Sequence, residues 1–263
     1  MGKIAIATLD DARPVDPPPG FDGEAETAAL LDQDKDPLHV HLHTLGCGVV
    51  LQIGPLEVDC VGYVWEGGID AGGRRLAATS SFVVERGAVL VASGADGGAT
   101  IVTFMAARPP AQPRSGGRVH LLPAERVPRA ELTGSQGAAG GMHADASCPT
   151  CHVWLHENSL APAEDEPADA ASEKGVHSHS EDEVIFVTDG QMRLGQRLYG
   201  RGSAIAIPAE TLYSFGVGPE GLKFVNFRAG RPSEIRFKTG GTIDEVAYWR
   251  DRVGSPEYLP PAS

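Results

Sequence analysis

The chain has 263 residues, enough for one large or two ordinary domains whose hydrophobic core is stable without disulfide bonds or a structural metal. Its 33 glycines and 20 prolines are typical of a turn-rich β protein rather than a helical one. The formal net charge of −13 argues against nucleic acid or an anionic membrane as a partner. No stretch approaches the roughly 20 apolar residues that cross a bilayer, and Asp10 and Asp11 come too early for a secretory signal, so we expect a cytoplasmic protein.

The N-terminal part of the chain predicts an irregular segment followed by a strand. Residues 12–37 are proline-rich, and a short helix is predicted at 24–31. His39, His41 and His43 then alternate with apolar residues, as on one face of a strand. Three histidines on one face suggest a metal site, but the internal repeat described below offers a better explanation.

Cys148 and Cys151 form a Cys-x-x-Cys pair, which is typical of half a zinc site or of a redox pair. No second such pair exists, although His143 or His152 is available as a further zinc ligand. No βαβ pattern surrounds the pair, which argues against a thioredoxin-like centre. We therefore expect two reduced thiols at the start of a strand, with a disulfide or a zinc site as the alternatives.

The strongest functional signal is the pair His177 and His179 followed by Glu183. Two histidines one residue apart on an extended segment point to the same side, and Glu183 reaches the same point if the chain turns. Imidazole and carboxylate groups suit Fe(II), Mn, Ni, Zn or Cu, and this set leaves coordination positions open for substrate or dioxygen. The sequence thus predicts a catalytic kind of metal site. The competing interpretation is a solvated acidic run at 181–183.

The residues after this motif predict short strands joined by tight turns. β-branched and aromatic residues at 184–188 precede Asp189-Gly190, which predicts a hairpin turn, and a second strand follows at 191–199. Further strands are predicted at 203–207, 213–216 and 222–228. An all-β sandwich or barrel follows from this pattern. The best helix candidate is 242–253, near the C-terminus.

These residues resemble the two sequence motifs of the cupin family. The matching residues are His177, His179, Glu183 and Gly190 for the first motif, and Gly202 and Pro208 for the second. The resemblance implies a jelly-roll barrel with a metal held by His177, His179 and Glu183. Tyr213 stands where the family usually has a fourth, histidine ligand. We expect Tyr213 to contact the substrate or a ligand rather than the metal.

The chain also repeats itself at an offset of 123 residues: Val184, Val187 and Gly190 fall on Val61, Val64 and Gly67. We therefore expect an all-β bicupin, two cupin-type jelly-roll barrels in tandem with short peripheral helices. Its predicted parts are an N-terminal barrel at 1–112, a linker at 113–145 and a C-terminal barrel at 146–263. The metal positions fall on Gly54, Leu56 and Cys60, so the N-terminal barrel is predicted to have lost its metal site.

A second shift, of 113 residues, lays the strand of His39–His43 over His152–His156. Trp154 and His156 then share one strand face. If that face is internal, His156 contacts the substrate; an outer face is the alternative, because periodicity does not separate inside from outside. The acidic segment 160–174, directly before the ligands, predicts a surface loop or a lid.

The family resemblance implies several functions, among them dioxygenases, lyases and storage or sensor proteins without catalysis. We expect a metal-dependent enzyme that acts on a small polar organic molecule, an Fe(II) dioxygenase or a metal-dependent lyase. Tyr213 and His156 are the predicted catalytic residues, and Fe(II) is preferred to Mn, Ni, Zn or Cu. The alternative is a non-catalytic bicupin that binds or senses a small molecule and carries a structural metal. Bicupins are often oligomeric, so a homo-oligomer is also considered.

Overall fold

A computed structural model describes residues 3–131, 138–145, 147–162, 175–230 and 234–259 of the chain. The strands of the first half are β1 (Ala5–Ala7), β2 (Arg13–Pro14), β3 (Phe21–Gly23), β4 (Glu26–Leu31), β5 (Leu38–Leu45), β6 (Val50–Ile53), β7 (Cys60–Ala71), β8 (Arg74–Ala77), β9 (Ser81–Val84), β10 (Leu90–Ala106), β11 (Val119–Leu122) and β12 (Ala130–Glu131). The strands of the second half are β13 (Ala138–Ala144), β14 (Trp154–Leu160), β15 (His177–His179), β16 (Glu183–Leu194), β17 (Arg197–Gly200), β18 (Ala204–Ile207), β19 (Gly216–Arg228), β20 (Glu234–Phe237), β21 (Thr242–Asp244) and β22 (Glu257–Leu259). The helical elements are α1 (Glu245–Trp249) and 3₁₀ turns at Leu9–Asp11, Ala124–Arg126 and Arg250–Arg252. The predicted all-β class with short helices is confirmed.

The chain divides into two compact units. The N-terminal unit contains Asp11–Val127, Ser147–Val153 and Gly254–Ser263, and the C-terminal unit contains Met1–Asp10, Pro128–Ala146 and Trp154–Val253. Short terminal strands account for these bounds, because β1 pairs with β18 and β22 pairs with β11. No helix in the described ranges is both long and apolar enough to span a membrane.

The N-terminal unit is one antiparallel sheet in the order β2-β4-β5-β10-β7-β9-β11-β22, with β3, β6 and β8 paired at its sides. Its strands present alternate residues to an apolar core, as strand geometry requires. That core contains Phe82, Ile69, Ile101 and Leu121, all fully buried. Cys60, at the position equivalent to Glu183, lies in the same core, and burial raises the pKa of its thiol. This position therefore serves packing in the N-terminal unit.

The C-terminal unit has a sheet in the order β1-β18-β16-β19-β14-β13-β12, with β17 paired to β16, and a smaller sheet in the order β15-β20-β21. Ile185, Val187, Ile205 and Phe224 form much of its core, together with Tyr213. Alternation along β16 places Glu183 on the same face as Ile185 and Val187. The first residue of β16 is therefore a carboxylate that points toward the core.

The internal repeat is present in the strands themselves. β7 begins and ends at residues 60 and 71, and β16 at 183 and 194, so that 183 − 60 = 123 and 194 − 71 = 123. β8 and β17, and likewise β9 and β18, have the same offset at both ends. The histidine strands differ from the predicted shift, because His41 pairs with Thr103 whereas His156 pairs with Asn226. The equivalent histidines are therefore His41 and His156, with an offset of 156 − 41 = 115 residues. The predicted shift of 113 is wrong by two residues, which is one period of side-chain alternation in a strand.

Asp189-Gly190 does not form the predicted hairpin turn. Both residues lie inside β16, where the ladder with β19 shifts register on each side of them. Gly190 has a φ of +67°, and a Cβ there would lie 2.3 Å from the carbonyl oxygen of Gly221. The glycine is thus needed at a β-bulge, and the chain reverses at Gly195 instead.

Two further expectations differ from the structure, and a third is not tested by it. The predicted helix at 24–31 is wrong, because β4 pairs with β5 on one side and β2 on the other. The predicted helix at 242–253 is only partly formed: α1 begins at Glu245, and Asp244 rather than Thr242 caps it by accepting a hydrogen bond from the Ala247 N–H. Most of the predicted loop or lid, residues 163–174, lies outside the described residues.

The expectation of two reduced thiols is also wrong, because Cys148 and Cys151 are joined by a disulfide. The turn between them brings their Cα atoms to 5.6 Å, within the range that a disulfide spans. The neighbouring His152 is engaged elsewhere, with its Nε2 3.2 Å from the carbonyl oxygen of Gln112. Cys47 is a free exposed cysteine and Cys60 a free buried one.

Candidate metal centre in the C-terminal unit

Backbone pairing places His177 and His179 beside Tyr213. β15 pairs with β20, and His177 and Tyr213 exchange two backbone hydrogen bonds of 2.9 Å each. The two histidine rings lie 5.0 Å apart between centroids, and the ring of Tyr213 lies 4.6 Å from that of His177. His177 Nδ1 is 2.7 Å from the carbonyl oxygen of Gly175, which fixes the ring orientation and leaves Nε2 free of this contact.

Glu183 is fixed by polar residues on the neighbouring strand β19. Asn226 donates a hydrogen bond of 2.7 Å to Glu183 Oε2, and the guanidinium of Arg228 donates a second of 3.2 Å to the same oxygen. The other oxygen, Oε1, is buried and has no hydrogen-bond partner among the described residues. One carboxylate oxygen is therefore held in place, and the other is free to accept a further ligand.

Arg228 connects Glu183 to a second buried carboxylate, Glu245 at the start of α1. Its guanidinium donates a hydrogen bond of 2.5 Å to Glu245 Oε2, and all three side chains are at most 2% exposed. Glu245 Oε2 also lies 3.2 Å from His179 Nδ1, while His179 Nε2 lies 3.7 Å from Glu183 Oε2. A carboxylate that contacts the Nδ1 side of a histidine directs the Nε2 side toward the site.

The electrostatics favour the protonation states that a metal site needs. Burial acts to raise the pKa of Glu183, but the charges of His179 and Arg228 outweigh it and hold the pKa below its usual value. Burial is also the largest influence on His177, and it lowers the pKa of that imidazole. For Glu245, hydrogen bonding to His179 and the charge of Arg228 overcome burial and lower the pKa to about 2. The centre thus presents ionised carboxylates and a neutral His177.

The two predicted catalytic residues both face this cluster. Burial and the negative charge of Glu183 raise the pKa of Tyr213 well above its usual value, so its hydroxyl remains protonated. His156 is 5% exposed; burial and the charge of Arg228 lower its pKa to about 3. Its Nδ1 accepts a hydrogen bond of 3.0 Å from Trp154, and its ring stacks on Trp249. The face of β14 that carries His156 therefore points inward.

The chemistry of the predicted ligands fits a divalent metal, since two imidazoles and a carboxylate with a free buried oxygen lie together. The donor atoms of these three residues are farther apart than the ligand atoms around a bound metal ion. Within the described part of the chain, the one group of such side chains whose donor atoms all lie within 4.8 Å is elsewhere, in the N-terminal unit. The ligand assignment to His177, His179 and Glu183 stays a prediction, and it requires these donor atoms to come closer together when a metal binds.

Sequence reasoning missed the residues that orient the ligands, namely Asn226, Arg228 and Glu245. A signal for two of them existed: Asn226 and Arg228 interrupt the apolar residues of β19 at alternate positions, on the face opposite Val225 and Phe227. Glu245 carried no such signal, because a glutamate in the first turn of a helix is ordinarily a solvent-exposed residue.

No family model matches this sequence, and no curated protein matches it either. Solved structures do match it. The protein Ylba from E. coli is 17% identical with a TM-score of 0.63, over 86% of this chain and 90% of its own. The oxalate decarboxylase of Lactobacillus farciminis, in a formate complex, is 10% identical with a TM-score of 0.66, over 94% and 91%.

A third structure, a protein of Nostoc punctiforme named as a candidate dioxygenase, is 12% identical with a TM-score of 0.61, over 92% of this chain and 86% of its own. At these identities the likeness concerns the fold. It agrees with the duplicated strand pattern and with the cupin motif residues of β15 and β16. The chain therefore has a bicupin fold, with two cupin-type β units in one chain.

Proposed function

We propose that His177, His179 and Glu183 bind a divalent metal and that the chain is an enzyme for a small polar organic molecule. The reaction class is that of an Fe(II) dioxygenase or of a metal-dependent lyase. The observation that carries the proposal is the carboxylate of Glu183: its Oε1 is buried without a hydrogen-bond partner among the described residues, and its Oε2 lies 3.7 Å from His179 Nε2. A metal in such a set supplies Lewis acidity and, if it is iron, one-electron chemistry with dioxygen.

Tyr213 and His156 have distinct roles in this proposal. The Tyr213 hydroxyl keeps its proton and interacts with the carboxylate of Glu183, so it does not act as an anionic ligand. In this proposal it turns that proton toward a substrate oxygen when a substrate is bound. His156 is neutral and its Nδ1 accepts from Trp154, so its proton is on Nε2. That Nε2 is a second donor for a substrate oxygen. Arg228 keeps its charge beside the ligands and compensates the two carboxylates.

The fold relatives support a small carboxylate or a related anion as the substrate class. One is an oxalate decarboxylase solved with formate, and another, the oxalate decarboxylase of Bacillus subtilis, has Mn(II) centres. Another is named as a candidate dioxygenase. Two hydrogen-bond donors, Tyr213 and His156, and the cation Arg228 are suited to the oxygens of such a molecule.

Metal analysis tests the binding step. The protein is purified without a metal-binding tag, reconstituted with Fe(II) or Mn(II) under anaerobic conditions, and analysed for bound metal beside Glu183→Gln. Glu210→Gln is the matched control, because Glu210 is an exposed glutamate paired with Arg236. We expect Glu183→Gln to lose the iron or manganese and Glu210→Gln to keep it. Equal retention in the two variants would sink the proposal.

Turnover separates the reaction classes. The reconstituted protein is given a panel of small dicarboxylates, keto acids and hydroxy acids while dioxygen is measured, and the panel is repeated without dioxygen. Oxygen uptake that depends on iron and is lost in Glu183→Gln supports a dioxygenase, and product formed without dioxygen supports a lyase. A ligand that raises Tm without turnover supports the non-catalytic alternative. The formation of a homo-oligomer stays a prediction, and light scattering tests it by measuring the molar mass in solution.

A further inference from the structure

A second cluster of metal-binding groups lies in the N-terminal unit and shares no residue with the predicted cupin ligands. It consists of Glu85, His120, Cys148 and Cys151, whose donor atoms all lie within 4.8 Å of one another. Glu85, His120 and Cys151 are buried, with exposures of 0%, 5% and 2%, and Cys148 is half-buried. Buried groups of this kind in a short mutual range are suited to a metal ion.

Three separate elements of the N-terminal unit build this cluster. Glu85 directly follows β9, and His120 lies on β11, opposite Val83 of β9. The turn that carries the cysteines is fixed by Arg114, whose guanidinium donates to the carbonyl oxygens of Cys148 and Cys151. The position of the cysteines is therefore set by long-range contacts as well as by the bond between them.

The carboxylate of Glu85 is oriented on both oxygens. His120 Nε2 lies 2.7 Å and Thr150 Oγ1 2.6 Å from Oε1, and the backbone N–H of Arg118 donates to Oε2 at 3.0 Å. Cys148 Sγ approaches the same carboxylate, at 3.6 Å from Oε1. A buried carboxylate that faces an imidazole and a sulfur has the donor set of a zinc site.

The turn also favours a thiolate at Cys148. The backbone N–H of Cys151 donates to Cys148 Sγ over 3.1 Å. Zinc bonds of about 2.0 to 2.3 Å in a tetrahedral site put the ligand atoms about 3.3 to 3.8 Å apart, since the edge is about 1.63 times the bond. A tetrahedral arrangement therefore requires the two sulfurs to separate, and it requires His120 Nε2 and Glu85 Oε1 to move apart from their present 2.7 Å as the ion replaces the proton between them.

We propose that Cys148, Cys151, His120 and Glu85 form a zinc site when the Cys148–Cys151 disulfide is reduced. A cellular dithiol is the reductant: the sulfur–sulfur bond of the protein breaks, two cysteine thiols form, and the dithiol becomes a disulfide. Zinc then displaces the two thiol protons and is held by two sulfurs, one nitrogen and one oxygen. The reverse exchange with a small-molecule disulfide re-forms the Cys148–Cys151 bond: that disulfide accepts the two electrons, takes up two protons to become two thiols, and the ion is released.

This site differs from the predicted cupin centre in both ligand number and ligand type. Four protein ligands fill a tetrahedral zinc site, which makes it structural rather than catalytic. Thiolate ligands favour zinc over iron or manganese, whereas two imidazoles and a carboxylate do not. The proposal is thus independent of the enzymatic function, and either can fail without the other.

Cobalt spectroscopy on the reduced full-length chain tests the proposal with all four proposed zinc ligands left in place. The Glu183→Gln variant is the background, so that the cupin centre does not contribute. We expect one equivalent of Co²⁺ with tetrahedral visible bands and thiolate-to-cobalt charge-transfer absorption, and displacement of that cobalt by Zn²⁺. An octahedral spectrum without charge-transfer absorption would show that the cysteines are not ligands and would overturn the proposal.

Variants in the same background identify the ligands. Cys148→Ser/Cys151→Ser and His120→Ala are expected to lower the zinc affinity at least tenfold, measured by competition with a chromophoric chelator. His152→Ala is the matched control, because His152 adjoins Cys151 in sequence but bonds to Gln112. Equal losses in His120→Ala and His152→Ala would contradict the assignment. Zinc that stays bound after complete oxidation to the disulfide would overturn it too.

Discussion

Arg228 is the residue whose removal tests the electrostatic description of the candidate metal centre. Its guanidinium contacts Glu183 and Glu245, and no side chain of the three is more than 2% exposed. Arg228→Met keeps much of the volume but leaves two buried carboxylates without their cation. Breaking a buried ion pair from one side costs about 3 to 5 kcal/mol. For a unit of this size, this loss lowers Tm by roughly 10 to 20 °C.

The sign of the pH dependence separates a charge effect from a packing effect. In the wild type the lowered pKa of Glu245 contributes stability that is present above its usual pKa and lost as the pH falls toward about 2. In Arg228→Met the same carboxylate is buried without a cation, so its folded-state pKa rises. The variant therefore recovers stability relative to the wild type as the pH falls through this raised pKa, and again between about 4.5 and about 2, where the wild type loses its own contribution.

Urea unfolding of the metal-free protein, followed by tryptophan fluorescence, measures both effects. The controls are Glu245→Gln and the double variant Arg228→Met/Glu245→Gln, which removes one carboxylate charge together with the cation. We expect the double variant to be more stable than the sum of the single losses by about 1 to 3 kcal/mol. Additive losses, within about 0.5 kcal/mol, together with a pH-independent deficit, would refute the reasoning.

Three further predictions concern single positions. Gly190→Ala is expected to destabilise the protein by more than about 1 to 2 kcal/mol, the cost of a left-handed backbone at alanine, because the new Cβ would also clash with Gly221. The control is Gly195→Ala, where φ is +58° and the space is open, so that only the backbone cost applies. Chemical denaturation compares the two variants. Burial lowers the pKa of His43 to about 3, so the free energy of unfolding falls as the pH drops below about 6.5. His43→Gln is expected to reduce the slope of that free energy against pH, measured by urea unfolding, by up to about 1.4 kcal/mol per pH unit. An unchanged slope would contradict this. Tyr213→Phe is expected to keep the bound metal and to lose turnover, and loss of metal would show that Tyr213 is a ligand.

Much of the fold could be predicted because alternating apolar residues and a 123-residue repeat are local properties of the sequence. The strands around Glu183 and their N-terminal copies follow from that pattern. The same local reading failed at Asp189-Gly190, because a glycine with positive φ serves a bulge as well as a turn. It failed at 24–31 because pairing with two neighbouring strands outweighs helix propensity.

The candidate sites were less predictable because they combine residues from distant parts of the chain. The predicted metal ligands His177 and His179 are one residue apart and form a recognisable motif. Glu245, in contrast, reaches His179 only through the packing of α1, and no local pattern indicates it. His120 and Glu85 meet across a strand pair, so the sequence showed the cysteines but suggested His143 or His152 as their partner.

The coincidence of strand ends in the two units has a consequence for the history of the chain. After duplication, the two copies kept their backbone frame residue for residue over three successive strands while the side chains at equivalent positions changed in kind. Cys60 packs in one copy where Glu183 is charged in the other. Because strands of the same length hold a buried thiol in one copy and a buried, ion-paired carboxylate in the other, the backbone at this position does not itself dictate the chemistry of the side chain.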